Sequence, residues 1–452
     1  MSNIDNIFYY LEVVDNFFWG YIGFVAILIS GLYLTIKSRG KQFRVLYNIA
    51  KVIRELQEES KNKDATGLHP LKLFFTSVGG MIGVGNIVGV GVAVMLGGPG
   101  SIFWMWIASI FGTLIKYSEI YLGIKYRVLS QDRKSYNGGM MYYLEATFKS
   151  KVLAKVSAIL LCIYGVEILQ FTVLVNRLES TFSIDRNLII TALLLSVIYS
   201  SIGGINRLAT ICTAVMPIFL ILYALGCIYI ICVNYQLMPG LMSNIFYAAF
   251  NGQAAVGGFV ASSFVHTAYL GCSKAVYSGD IGIGYDSVVQ SETKVVCPMK
   301  QSRLSILALT LDTLICSLSC IIIGVTGAWH NMSHLEPSEV VSKIFSLYFP
   351  YSDYFLTLVL FFSGFTTVIA FFTVGLKTAS FVSSSYGKNF YFVFGVFCFI
   401  FFANFSEERA IIIMNITSVL LVTINIIAIL KMRNEIEFYD TKTSKRNKRH
   451  TT

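Results

Sequence analysis

Charge is what this sequence has least of: 13% of its 452 residues are Asp, Glu, Lys or Arg, against about a quarter in soluble domains. Charge this sparse excludes a water-soluble enzyme of this length, a disordered chain and a nucleic-acid binder, because it can neither solvate a surface nor follow a polyanion. Histidine is scarce too, with five residues. Only His330 and His334 form a spaced pair, with no carboxylate cluster beside them, so the material for a metal-dependent or other enzymatic centre is missing and no cofactor is implied. The nine cysteines include no Cys-x-x-Cys and fall mostly in apolar stretches. They read as small buried hydrophobes rather than a disulfide framework or metal site. The first apolar segment lacks the basic flank and small-residue cleavage site of a signal peptide, so it reads as a retained helix.

What the chain does have is apolar length. Hydrophobic residues make up 55% of it and aromatics 14%, with a mean hydropathy of +0.66. About 20 apolar residues cross roughly 30 Å of hydrocarbon as a helix. Eleven candidate spans lie near residues 17–36, 73–98, 101–124, 152–175, 187–203, 208–232, 247–272, 304–328, 353–376, 389–404 and 410–431.

The formal net charge of +10 orients them, because Lys and Arg concentrate in cytoplasmic loops. Nine such residues, from Lys37 to Lys72, follow the first span, whereas the leading peptide has none. Alternating from an outside N-terminus, the inner loops hold Lys125, Arg127, Arg133, Lys134, Lys149 and Lys151, then Arg207, then Lys274, Lys294, Lys300 and Arg303, then Lys377 and Lys388. The basic tail is also inside. The expected protein is thus an all-α polytopic membrane protein with an N-out, C-in arrangement. Between the first two spans, Phe43, Leu46, Ile49, Ile53 and Leu56 recur at helical spacing, which predicts a basic amphipathic helix on the inner membrane surface.

Glycine carries the next step. The second span packs Gly79, Gly80, Gly83, Gly85, Gly89 and Gly91 around one polar residue, Asn86. Close packing of helices through small residues is one reading. The other is an unwound helix whose freed backbone groups hold a ligand at the bilayer midplane, which glycines on every face favour. The seventh span is also glycine-rich and polar. Five spans apart, the two run in opposite directions, the signature of an inverted repeat with five helices per half. The organisation expected is 1–40, a periplasmic segment and an extra helix; 41–72, the amphipathic segment; 73–232 and 247–431, the two repeats; and 432–452, a basic cytoplasmic tail.

The run from Gly83 to Arg127, GVGNIVGVGVAVMLGGPGSIFWMWIASIFGTLIKYSEIYLGIKYR, resembles the signature region of the alanine or glycine:cation symporters. Collinear matches follow: Asn-Gly-Gly-Met-Met-Tyr-Tyr-Leu-Glu from Asn137, Gln170, GGINR at 203–207, Pro217, GGFV at 257–260, KAVYSGDIGIG from Lys274, PMKQS from Pro298, LDT at 311–313 and GFTTVIAF at 364–371. The resemblance implies a LeuT-type 5+5 fold with one extra N-terminal helix, in a bacterial inner membrane, as a monomer or weak oligomer. It implies symport of a small neutral amino acid with Na+ or H+.

An amino-acid zwitterion needs donors for its carboxylate and acceptors for its ammonium, both away from water. Backbone N–H groups at Gly83, Val84 and Gly85 could bind the carboxylate through the half-helix dipole, and Asn86 can donate and accept. The resemblance puts Gln170 at a substrate-facing position, Phe371 on a pocket wall where the family usually has tryptophan, and Ser278 in the seventh-span motif. It also makes Thr366 and Thr367, with Ile82 on the unwound stretch, the candidate cation ligands; alternatively the threonines bond back to their own helix. Glu167, one turn from Gln170, reads either as a proton carrier or ammonium ligand, or as a buried packing group. Lys116 and Glu119, at i and i+3, read as a local ion pair, and Asp312 as a hydrogen-bonded structural residue. Departures from the family pattern fall at the site: Val84 replaces a threonine, Ser278-Gly279-Asp280-Ile281-Gly282 stands for Ser-Asn-Glu-Ala-Gly, and Thr373, Val374 and Leu376 precede a retained Lys377. The readings to be weighed are a cation-coupled symporter, a proton-coupled one using Glu167, and a transport-inactive membrane sensor.

Overall fold

The computed structural model describes residues 3–60, 66–130, 133, 135–251, 264–332, 335 and 337–439. The GGFV motif at 257–260, Lys61, Lys63, Lys134, His334 and the basic tail from residue 440 onward lie outside them. From residue 3, α1 (Asn3–Phe17) continues through a π-helical turn, Phe18–Gly23, into α2 (Phe24–Lys37). The described part of the leading peptide is thus helical and continuous with the first apolar span. The amphipathic region forms α3 (Lys41–Tyr47) and α4 (Ile49–Glu59). Its apolar residues divide: Val45, Val52 and Leu56 are buried against protein, while Phe43, Leu46 and Ile49 stay exposed, as suits a helix lying between protein and lipid.

The first glycine-rich span is α5 (Pro70–Met81) and α6 (Val90–Gly97). Pro70 starts α5 without wasting an N–H, and His69 Nδ1 accepts from Leu71 N at 3.2 Å as its cap. The span breaks after Met81. Ile82 turns extended (φ −87°, ψ 93°), Gly85–Gly89 re-enter as a π-helical turn, and the axis bends by 51°. Beyond it come α7 (Gly100–Lys125), a two-residue antiparallel hairpin of β1 (Val128–Leu129) and β2 (Tyr136–Asn137) with Val128 opposite Asn137, and α8 (Met140–Phe148). A second interrupted rod is α9 (Lys151–Tyr164) and α10 (Ile168–Phe182); α11 (Arg186–Ile202), α12 (Gly204–Val233) and α13 (Met238–Asn251) follow. The third interruption separates α14 (Phe264–Gly279) from α15 (Tyr285–Gln290). The chain then runs through α16 (Pro298–Val325), the short α17 (Ala328–Asn331) and α18 (Pro337–Ser346), α19 (Ser352–Val382), α20 (Gly387–Phe402) and α21 (Glu407–Lys431). Among the described residues seven helical stretches are long and apolar enough to cross a bilayer, and the bent pair α5 and α6 makes an eighth; α11 and α20 are apolar but shorter.

One expected boundary is corrected. Of the seventh apolar run, 247–272, residues 252–263 lie outside the described residues; its last part begins α14, which runs on to Gly279, and the break comes later, at 280–284. Hydropathy misplaces it because α14 is covered by protein rather than lipid: Ser273, Lys274 and Ser278 are all buried. Lys274 is thus an interior residue, not part of an inner loop. The core is organised by two long helices. α7 packs on α14, α16 and α15, whereas α19 packs on α9, α12, α10 and α5.

Between these helices, α5 and α15 are bonded turn by turn. Leu68 N donates to Glu292 O at 2.8 Å and Lys294 N to Leu68 O at 3.0 Å. Gln290 Nε2 donates to Leu73 O and Tyr285 Oη to Thr76 O, each at 3.3 Å, and Ser77 Oγ donates to Asp286. Gly80 lets this contact close, since a Cβ there would stand 2.2 Å from Tyr285 Oη.

Candidate functional site

The three helix interruptions meet. At the first, two backbone donors are taken by side-chain amides: Gly83 N donates to Asn86 Oδ1 at 3.0 Å and Val84 N to Gln170 Oε1 at 2.8 Å. Asn86 Nδ2 in turn donates to Asp312 Oδ1 at 2.5 Å and to Cys316 Sγ at 3.2 Å. Asp312 Oδ2 accepts from Ser278 Oγ at 3.4 Å, so Asn86 fastens the first break to α16 and, through Asp312, to α14. Residue 83 must be glycine here: a Cβ would lie 2.4 Å from Thr367 Oγ1 and 2.9 Å from Gln170 Oε1. Beside Gly85, a Cβ would meet Tyr277 Cε1 at 3.0 Å.

The second interruption is at 165–167. Glu167 takes a left-handed backbone (φ 52°) just before α10 and accepts from Tyr277 Oη at 3.2 Å. Glu167 and Gln170 therefore do not share a helix face. Glu167 precedes the helix and turns to α14, and Gln170 in its first turn reaches the first break.

The third interruption carries Asp280 (φ 47°), Gly282 (φ 75°) and Gly284 (φ 104°). Asp286 stands in the first turn of α15, where the helix dipole favours a negative charge. Its Oδ2 lies 2.7 Å from Lys116 Nζ, with both side chains fully buried, and Lys116 also donates to Gly279 O at 2.6 Å. The local Lys116 and Glu119 pair is thus corrected. Glu119 accepts instead from Asn425 Nδ2 at 3.0 Å and from Ser287 N at 3.3 Å: α7 sets both residues against the start of α15, where the carboxylate of Asp286 takes Lys116 and the backbone of Ser287 takes Glu119.

The threonines on α19 also part. Thr367 Oγ1 donates to Gly79 O at 3.3 Å and Ser363 O at 3.1 Å, reaching the helix that leads to Ile82. Thr366 Oγ1 bonds back to Phe362 O at 2.9 Å and contacts Met216 Sδ at 3.4 Å, facing α12. One turn further along α19, Phe371 stacks on Tyr285 (ring centroids 4.1 Å apart) and meets Tyr164 edge-on at 5.4 Å. A cavity of about 800 Å³ is lined by Asn137, Ser201, Glu292 and, further along α19, Thr373 and Lys377. Lys377 bonds Glu292 and donates to Tyr136 O at 2.6 Å.

Structure thus gathers Ile82, Gly83, Val84, Gly85, Asn86, Gln170 and Thr367 at one place. Ser278 joins them through Asp312 and Glu167 through Tyr277, while Phe371 lies a turn away and Thr366 points elsewhere. Sequence reasoning passed over Tyr277, Tyr285 and the Lys116 and Asp286 pair, and met Asp280 only as a departure from the family motif. The signal available was two acids inside the glycine-rich run SGDIGIGYDS, since ionisable groups inside a membrane segment are costly and usually functional.

The sodium:alanine symporter family profile matches residues 4–451. An uncharacterized transporter of Haemophilus influenzae is 32% identical over 329 residues, covering 71% of this chain and 70% of that one. The sodium/alanine symporter AgcS of Methanococcus maripaludis is 26% identical over 394 residues, covering 84% of this chain and 85% of that one. Among solved structures, a manganese transporter of Eremococcus coleocola is similar with a TM-score of 0.56 and 16% identity, over 79% of this chain and 77% of that one; this is a likeness of fold.

Proposed function

Because the chain belongs to the sodium:alanine symporter family, a family of membrane transporters rather than enzymes, we propose that it couples a cation, Na+ in the first place, to symport of a small neutral amino acid such as alanine or glycine. The observation that carries this reading is the first break. Gly83 N and Val84 N, on adjacent residues, donate to amide oxygens of Asn86 and Gln170, and a substrate carboxylate can replace those acceptors at the positive end of a half-helix. Thr367, with Ile82 beside the break, supplies hard oxygen for a small cation; Thr366, bonded to its own helix, is the weaker member of the pair.

Transport has no chemical step. Differential binding to two arrangements of the same site is enough. The cavity lined by Thr373, Lys377 and Glu292 supports an inner vestibule, with the Phe371 and Tyr285 stack as the layer between it and the break. The two glycine-rich interrupted helices support a 5+5 inverted repeat over 73–232 and 247–431, with the first helix as the addition. The distribution of Lys and Arg supports eleven spans with the N-terminus outside. A proton-coupled version has one observation in its favour, the fully enclosed Glu167 with Tyr277 as its donor.

The test is uptake of labelled alanine, glycine and other small amino acids by the purified protein in proteoliposomes, under a sodium gradient, a proton gradient or none. Gradient-driven accumulation is expected. Accumulation indifferent to every gradient, or binding without flux, rejects symport. Glu167→Gln separates the ions: sodium-driven uptake unchanged by it removes Glu167 from coupling.

A further inference from the structure

Around the third break five buried carboxylates share the protein interior with one ammonium, Lys116: Glu119, held by Asn425 and Ser287 N, and four more, Glu167, Asp280, Asp286 and Asp312; none of the six is more than 2% exposed. Three of these four are matched. Asp286 has Lys116 at 2.7 Å, Asp312 has Asn86 at 2.5 Å and Ser278 at 3.4 Å, and Glu167 has Tyr277 at 3.2 Å. Asp280 differs: its Oδ2 is buried with no hydrogen-bond partner among the described residues, and so is the hydroxyl of Tyr164. The titratable groups that face Asp280 are Lys116 from α7, Asp286 and Tyr285 from α15, Asp312 from α16, Tyr277 from α14, and Glu167 and Tyr164 flanking the second break. Lys116 is the one cation in that set, and Asp286 already holds it.

The neighbouring backbone fixes the position. Gly279, immediately before Asp280, accepts from Lys116 Nζ at 2.6 Å, and a Cβ on it would lie 3.3 Å from Asp312 Oδ2. Asp280 therefore follows the C-terminal end of α14, whose carbonyl dipoles favour a positive charge. Its left-handed backbone, unusual for a residue other than glycine, is a strained conformation of the kind found at functional positions. A buried ionised carboxylate with an unmatched oxygen is costly, and a positive charge placed beside it offsets that cost.

We propose that Asp280 is the seat of a mobile positive charge: its carboxylate takes a small monovalent cation at a site separate from Thr367. The same chemistry could be supplied by a sodium ion, a proton or the ammonium of the transported amino acid. The proposal rests on the symporter reading and deepens it by naming a residue that would link substrate or ion occupancy to the third break.

Labelling of the full-length wild-type protein with dicyclohexylcarbodiimide, which attacks buried protonated carboxyls, reads the site directly when adducts are located by peptide mass spectrometry. An adduct on Asp280 is expected. Its suppression by sodium chloride against choline chloride identifies sodium as the source, suppression only by rising pH identifies a proton, and suppression by alanine or glycine identifies the ammonium. In parallel, Asp280→Asn is expected to abolish the response of the thermal unfolding midpoint to that same agent, and Asp280→Glu to keep it. No adduct under any condition, an adduct indifferent to all three agents, or an Asp280→Asn protein with the wild-type response overturns the proposal. If Asp280→Asn does not fold, the wild-type labelling decides alone. Uptake measured on the same preparation keeps the two readings apart. Protected labelling without gradient-driven uptake retains the site and rejects symport, whereas uptake with indifferent labelling retains symport and rejects the site.

Discussion

Replacing Lys116 by methionine tests the electrostatic centre of the fold. The side chain is fully buried, lies 2.7 Å from Asp286 and donates to Gly279 O; methionine preserves its length and removes both interactions. The acid left behind is enclosed at the N-terminus of α15, with Ser77 as its remaining donor. Removing one partner of a buried pair costs about 3–5 kcal/mol, most of it the penalty of the stranded charge. At roughly 2 cal/mol/K of unfolding entropy per residue, a chain of this length has about 0.9 kcal/mol/K, so the midpoint should fall by ~3–5 °C. A smaller entropy, as when helices persist in the unfolded protein, enlarges the fall. The double variant Lys116→Met with Asp286→Asn removes the stranded charge and should recover much of the loss, because a buried pair replaced as a unit is often neutral. Midpoints of detergent-purified protein, followed by fluorescence-detected size exclusion, give all corners of the cycle. A single variant within about 1 °C of wild type, or a double variant no better than the worse single, refutes the account.

Gly83→Ala should cost about 1–3 kcal/mol through overpacking against Thr367 and Gln170 and should abolish amino-acid uptake. Adding Thr367→Ala should restore the thermal midpoint but not the transport, and restoration of both would remove Thr367 from the site. Phe371→Ala should cost about 3–5 kcal/mol as a buried aromatic truncation; a loss below 1 kcal/mol would show that the stack on Tyr285 carries little. Burial and the nearby Lys294 and Lys72 push the His69 pKa below its usual value, so the folded state favours the neutral ring that caps α5. Stability from this cap is full above the unfolded pKa, about 6.5, and is lost as pH falls through the lower folded value. Hydrogen exchange over residues 70–74, corrected for intrinsic rate, should therefore accelerate between pH 7.5 and pH 5.5, and His69→Ala should remove the difference. Equal protection at both pH values would count against the cap.

Of the eleven expected spans, the seven long apolar helices and the bent pair were legible because lipid and core both select long apolar runs, and the first break because glycines crowd around Asn86. Only Gly83 and Gly85 sit at the unwound point, whereas Gly80 and Gly91 pack against Tyr285 and Ile323, so both readings of the glycines hold at different residues. The second break was hidden: Gly165 is a single glycine in an apolar run, and nothing local marks Glu167 as left-handed. The third was legible in composition but misplaced in position, because a helix sheathed by protein can carry Lys274. Local spacing suggested Glu119 for Lys116, yet the partner chosen is Asp286, far along the chain. Pairings of that kind are decided by which helices touch, and α7 packs on α15.

The bonds between α5 and α15 set the number of independent movements available to the transporter. Joined at Leu68 with Glu292 and Lys294, and again at Leu73, Thr76 and Ser77, the two segments have no freedom to separate without breaking hydrogen bonds in nearly every turn. They form one lever, although they come from opposite halves of the sequence. Parting them at either end means breaking that ladder, so the first and third breaks are tied to each other through it.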